Sequence, residues 1–217
     1  MNKKIILSVI AFLVAYSAFT QDAKKTTAFE GSIEFMQCIG ADTTFYSYDV
    51  KSTHVRIKNI DIKSNKDIGI YLMDLSAKTT IALSPLRRIY KDEPTPATVK
   101  ASGEAKVTKT TNIKTINGYK CTEYVVENAK DGIKISYWIA NGNFEFFLPM
   151  MNILNRSDNF SVYYMQIKNS QNMFPMEAYE TDLSGTAKGF MKATKVTTGT
   201  VATQTFLVPE GYKKFER

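Results

Sequence analysis

A catalytic centre needs a nucleophile, a base or a set of metal ligands, and this chain offers few of each. Its one histidine, His54, stands in His54-Val55-Arg56-Ile57-Lys58. Alternation there groups His54 with Arg56 and Lys58 on the wet face of a strand. A Ser-His-Asp or Cys-His arrangement would depend on this surface residue. The two cysteines, Cys38 and Cys121, lie in no nucleophile motif. One histidine without a cysteine pair at ligand spacing does not suit zinc. Glu177, Glu180 and Asp182 cluster, and alternation puts Glu180 and Asp182 on one face, as a paired-carboxylate hydrolase would require. A polar strand face opposite lysines explains them more simply. Gly185-Thr186-Ala187-Lys188-Gly189 is a turn without P-loop spacing. Arg87-Arg88-Ile89-Tyr90-Lys91 is too short to line a nucleic-acid groove. The expectation is a non-enzymatic protein with no cofactor, no metal and no nucleic-acid partner.

What remains is apolar surplus. Six of the nine methionines fall between Met150 and Met191. Methionine is flexible and polarisable and lines sites that accept variable apolar ligands. On this reading Phe144, Phe147, Met150, Met151, Met165 and Met176 are the candidate ligand-binding residues, for a lipid or an acylated ligand. The alternative is an ordinary core with methionine as filler. The protein would then be an interaction or structural module of the cell envelope with no small-molecule ligand.

The elements that must position these residues follow a period of two. Phe29–Phe35, His54–Lys58 and Ile133–Ile139 alternate cleanly, so one face of the sheet is buried and one wet. Further strands are predicted at Ile68–Asp74, Lys78–Leu83, Arg88–Lys91, Lys109–Ile116, Tyr119–Glu127, Phe160–Lys168, Phe174–Thr181, Phe190–Thr198 and Thr203–Val208. Asn117-Gly118 predicts a two-residue hairpin, because a type I′ turn needs positive φ at both central positions. Asp92–Glu104 holds Pro94, Pro96 and Gly103 and reads as a long loop. Phe144–Leu154 is too apolar for a surface loop, and Pro149 suits a first helical turn. The predicted fold is mainly β: one curved antiparallel sheet, an incomplete barrel, with one or two short helices on its concave face.

The N-terminus has the order of a secretory signal peptide. The basic head Met1-Asn2-Lys3-Lys4 precedes an apolar stretch from Ile5 to Ala15, then the small or neutral residues Ser17, Ala18 and Thr20. Cleavage after Thr20 divides the chain into a 1–20 leader and a single 21–217 domain, exported to the periplasm or secreted. The apolar stretch is short of the roughly 20 residues a membrane helix needs, and none elsewhere is long enough. Without the leader's two lysines the net charge falls from +7 to +5. The lysines are dispersed, as on a solvated surface. Export permits a disulfide between Cys38 and Cys121, though Cys38 sits on the polar parity of its strand, and pairing stays open.

Several segments together resemble domain-of-unknown-function family 4412, exported proteins common in Bacteroidota. They are Phe29-Glu30-Gly31-Ser32-Ile33-Glu34-Phe35, Val55-Arg56-Ile57-Lys58, Ile70-Tyr71-Leu72-Met73-Asp74-Leu75 and Ser84-Pro85-Leu86-Arg87-Arg88-Ile89-Tyr90-Lys91. The most specific is the hairpin from Lys114 to Val126, with Gly118-Tyr119-Lys120-Cys121 and Tyr124 at its core. The resemblance runs from about Phe29 to Val208. It implies a fold similar to LolA-like lipoprotein carriers, in which a curved sheet wraps helices and holds acyl chains. It implies no catalytic residues.

Overall fold

The computed structural model describes residues 28–61, 64 and 66–216. The 1–20 leader lies outside them. The alternating segments form two antiparallel meanders. The first comprises β1 (Gly31–Ile39), β2 (Asp42–Lys51), β3 (His54–Asp61), β4 (Lys66–Asp74), β5 (Thr79–Ser84) and β6 (Ile89–Glu93). The second comprises β7 (Lys106–Ile116), β8 (Tyr119–Asn128), β9 (Ile133–Asn141), β10 (Met173–Asp182) and β11 (Ala187–Thr198). Antiparallel pairing of β1 with β11 fuses them into one curved sheet that does not close into a barrel. At that seam Gly189 is required by close approach: a Cβ there would lie 2.5 Å from the Cys38 carbonyl oxygen. A two-residue strand, β12 (Lys213–Lys214), adds in parallel to the outer edge of β6 and completes the twelve.

Between β9 and β10 the chain leaves the sheet as α1 (Phe147–Leu154) and α2 (Asn159–Tyr164). Both bury their apolar sides in one core with the inward residues of the sheet, among them Ile33, Val55, Ile57, Tyr137 and Phe174. Pro149 falls in the first turn of α1, where its missing N–H is harmless. Asn155 ends α1 in the left-handed region, at φ 41, its N–H donating to the Met151 carbonyl.

Three elements differ from the sequence reading. Phe160–Lys168 is not a strand; α2 occupies its start. The Asp158 carboxylate caps α2, accepting from the Ser161 N–H and hydroxyl. The buried residues Phe160, Tyr163, Tyr164 and Ile167 follow helical spacing. Thr203–Val208 is likewise not a strand but carries a 3₁₀ turn over Thr203–Phe206. And β2, rich in Thr, Tyr and Asp, is absent from the predicted strands, although its Tyr46, Tyr48 and Val50 all face the core.

The Asn117-Gly118 hairpin is as expected, with φ 48 and 81 at the two positions. A Cβ on Gly118 would meet nothing within 4 Å, so backbone strain alone opposes a side chain there. Gly118→Val should lower stability by about 1–3 kcal/mol. Thermal unfolding checks this, and an unchanged melting temperature would contradict it.

The long connection from β6 to β7 joins opposite edges of the sheet. It therefore straps the open side over the helices. Asn155 Nδ2 donates to the Pro96 carbonyl at 2.9 Å, and the Ala105 N–H donates to Gln166 Oε1 at 2.9 Å. The Ser102 hydroxyl and N–H both donate to the Asp131 carboxylate. Proteases should cut within 94–104, whose backbone carries no ladder. The halves should remain associated through the nine-residue β1–β11 pairing on gel filtration. Hydrogen bonds from Ser102 and Tyr163 hold Asp131 below the usual carboxylate range. A depressed folded pKa contributes stability above the unfolded value, near 4, that is lost as pH falls through the folded one. Pepsin should consequently nick the strap disproportionately faster at pH 2 than at pH 4, when normalised to an unfolded substrate.

Candidate functional site

The apolar residues singled out from the sequence lie mostly in the core. Phe144, Met150 and Met176 are fully buried, and Phe147 and Met151 nearly so. Phe174 is the hub of their ring cluster, with centroids 4.8 Å from Phe147, 5.1 Å from Phe144 and 5.4 Å from Phe35. The void left between Phe147, Met151 and the sheet is about 30 Å³, room for one water. Met165 stands apart, 37% exposed at the C-terminal end of α2. An acyl chain cannot enter among these residues unless α1 is displaced.

Open space lies to one side of them, on the concave face of the first meander. There β2–β5, the end of α1 and the strap border an open-mouthed cavity of about 400 Å³. Its walls are largely apolar and aromatic: Tyr46 and Tyr71 from the sheet, Ile153 and Leu154 from α1, Pro94 and Pro96 from the strap. Asn59 pairs across with Gly69, and its amide lies 3.8 Å from where a Gly69 Cβ would stand.

Beside Thr80 and the two tyrosines, three further polar side chains reach this cavity. Arg156, half-buried in the turn between the helices, stacks over the Tyr46 ring at 5.2 Å. Burial works against its charge, but the Tyr48 phenol, the Asp158 carboxylate and Tyr46 prevail and hold its pKa above the ordinary value. Asn59 Oδ1 is buried and has no hydrogen-bond partner. Glu93 completes the rim, paired with Lys91 at 2.8 Å. The sequence reading missed all three; the inward parity of Tyr46 and Tyr71 was the available signal.

The chemistry candidates stay dispersed. His54 is exposed, 3.8 Å from Asp74. Glu180 faces inward and accepts from Asn159 Nδ2 at 2.7 Å, while Asp182 organises the β10–β11 turn. Among the described residues no cluster of three or more His, Cys, Asp or Glu could hold a metal ion. Nor is any helix among them long and apolar enough to cross a membrane.

Both cysteines are free, so the disulfide considered above is not formed. β1 and β8 are separated by three strands. That is about 19 Å at the usual strand spacing, far beyond disulfide reach. Burial pushes the Cys121 thiol up to about 11, which leaves little thiolate at neutral pH. Cys38 is half-buried near the sheet end. Iodoacetamide at pH 8 should add one group to the native protein and two in urea, read by intact mass. Two rapid native adducts would contradict the burial of Cys121.

A family profile described as a domain of unknown function, DUF4412, matches residues 29–212. No curated protein matches the chain. Among solved structures, an uncharacterized conserved protein from Thermus thermophilus aligns with TM-score 0.48 and 7% identity, covering 89% of this chain and 92% of that one. PNGF-II aligns with TM-score 0.45 and 12% identity, over 88% of this chain and 31% of its own. The Pseudomonas aeruginosa MucA/MucB complex gives TM-score 0.47 and 9% identity, over 81% and 54%.

Proposed function

We propose that this chain, which belongs to the DUF4412 family, is an exported, non-enzymatic protein that binds an apolar or acylated ligand in its half-barrel. The observation that carries the proposal is the cavity of about 400 Å³ between the sheet, α1 and the strap. Ligand pockets of roughly 300–1,000 Å³ with apolar walls and a few convergent polar groups suit small amphiphiles. The binding region thus lies beside the methionine-rich core, in which Phe147 and Met151 keep α1 seated rather than forming the contact surface. Burying about ten methylenes gains about 8 kcal/mol before association costs. That makes a micromolar Kd the ceiling for one short chain.

The test begins with the exported protein. Its intact mass should correspond to a chain starting at Gln21; retention of Met1 argues against export. Organic extraction followed by mass spectrometry should release lipid from the native material. A fluorescent decanoyl probe should then bind saturably, and Thr80→Phe, which fills the cavity from β5, should weaken it at unchanged melting temperature. Neither co-purified lipid nor saturable binding would favour the envelope interaction module instead.

A further inference from the structure

An arginine inside a binding cavity is normally matched by a carboxylate or several carbonyl oxygens, because a partly desolvated cation needs acceptors. Arg156 has no such match. Among the described residues no carboxylate lies within 4 Å of its guanidinium and no hydrogen bond engages it; its close contact is the Tyr46 ring at 5.2 Å. The two nearby acids are already used. Asp158 accepts from the Ser161 N–H at 3.1 Å and from its hydroxyl at 2.9 Å, and Glu93 pairs with Lys91 at 2.8 Å. The guanidinium, with five N–H donors, borders the cavity and engages no protein acceptor in a hydrogen bond among the described residues. In the same cavity Asn59 Oδ1 is a buried acceptor without a donor. Buried polar atoms are almost always paired. A cation that Asp158 offsets only at a distance, without an ion pair, and a buried acceptor without a donor share one space and together suit the polar end of an amphiphile.

We propose that the ligand is an acidic amphiphile. Its carboxylate or phosphate lies against Arg156, a head-group O–H or N–H donates to Asn59 Oδ1, and its short apolar chain runs between Tyr46, Tyr71, Ile153 and Leu154. The inference rests on the binding reading above and specifies the head group. Planar guanidinium geometry suits both oxyanions, through paired N–H···O contacts. The turn that carries Arg156 is fixed at both ends, by the left-handed Asn155 and by the Asp158 cap. The charge is thus presented at low ordering cost.

The experiment is calorimetric titration of the mature protein with decanol, decanoate, decyl phosphate, N-decanoylglycine, acetate and inorganic phosphate. Decanoate and decyl phosphate should bind at least ten-fold more tightly than decanol, and N-decanoylglycine, with an acid and an N–H, more tightly still. Acetate and inorganic phosphate should bind far more weakly than the amphiphiles; equal binding would mean a free-anion site and overturn the proposal. Arg156→Gln should bring decanoate to the level of decanol in the same variant, while Arg156→Lys retains part of the preference. Asn59→Leu should remove the advantage of N-decanoylglycine over decanoate measured in the same variant. Equal affinity of wild type for decanol and decanoate overturns the head-group assignment and leaves apolar binding standing. Absence of binding by every amphiphile overturns both. Because the wild-type comparison needs no variant, the proposal stays testable even where a substitution impairs folding.

Discussion

Phe144→Asp should abolish the cooperative thermal transition of this domain. Phe144 is 0% exposed. Its ring centroid lies 5.3 Å from those of Phe29 and Tyr119 and 5.1 Å from that of Phe174. It thereby ties the segment before α1 to the start of β1, the β7–β8 turn and β10. Removing such a ring costs about 3–5 kcal/mol in lost transfer energy and residual cavity. The carboxylate adds a desolvation penalty of several kcal/mol, because the packed rings of Phe29, Phe146 and Phe174 offer neither cation nor donor. Together these reach the whole stability of an ordinary domain, about 5–15 kcal/mol. Near-ultraviolet circular dichroism should be lost, and the melt should become broad or featureless. Phe144→Leu, which keeps most of the volume, should still unfold sharply. An aspartate variant melting within a few degrees of the parent would mean that this segment packs less tightly than the ring contacts indicate.

The same ring cluster marks where sequence reasoning succeeded and where it stopped. Alternation located most strands and their inward parity, because a half-wet antiparallel sheet writes its geometry into every second residue. Asn117-Gly118 specified its turn for an equally local reason. Phe160–Lys168 misled because it is apolar on both parities, with Tyr163 and Tyr164 adjacent. Its helical spacing of 160, 163, 164 and 167 and the Asp158 cap were the better signals. β2 was masked by its threonines and aspartates, although Tyr46, Tyr48 and Val50 alternate. The candidate site was illegible for a different reason. Tyr46, Asn59, Tyr71, Pro96 and Arg156 lie far apart in the chain and meet only because the strap and α1 close over the first meander. Their roles come from what each lacks as a neighbour, and that is a tertiary property. Phe144, Phe147, Met150, Met151 and Met176, expected from their apolar clustering to line a ligand site, are buried; an apolar cluster in the sequence does not separate a packed core from a cavity wall.

Removing Val201–Arg217 should make the protein self-associate. The segment crosses the convex face of the first meander before β12 pairs with β6. Lys51 Nζ donates to the Val201 carbonyl at 2.8 Å, the Phe206 ring lies 5.8 Å from His54, and Val208 and Tyr212 pack on Ile70, Leu72 and Leu83. The Phe215 N–H then donates to the Tyr90 carbonyl at 2.8 Å. Exposing three large aliphatic side chains forfeits about 1.5–3 kcal/mol each at most. Much of that is already offset by ordering the tail, at about 1–2 kcal/mol per residue, so the melting temperature should fall only modestly. Association is the larger effect, because truncation uncovers an apolar patch and an unpaired strand edge together. The opposite edge indicates what an edge needs when left open: β7 carries Lys106, Lys109 and Lys114 and a register break between Lys109 and Ile113. β6 carries its charges at Lys91, Asp92 and Glu93 but begins with the apolar Ile89 and Tyr90, which are the residues paired with β12, so the covering tail performs that task there. Light scattering after gel filtration should show a mass that rises with concentration for the truncated chain and stays constant for the full one. Introducing Ile89→Lys into the truncated chain should reverse much of the rise. If the truncated chain instead keeps a constant mass, burial of Ile70, Leu72 and Leu83 is the tail's whole contribution, and the β12–β6 pairing protects nothing.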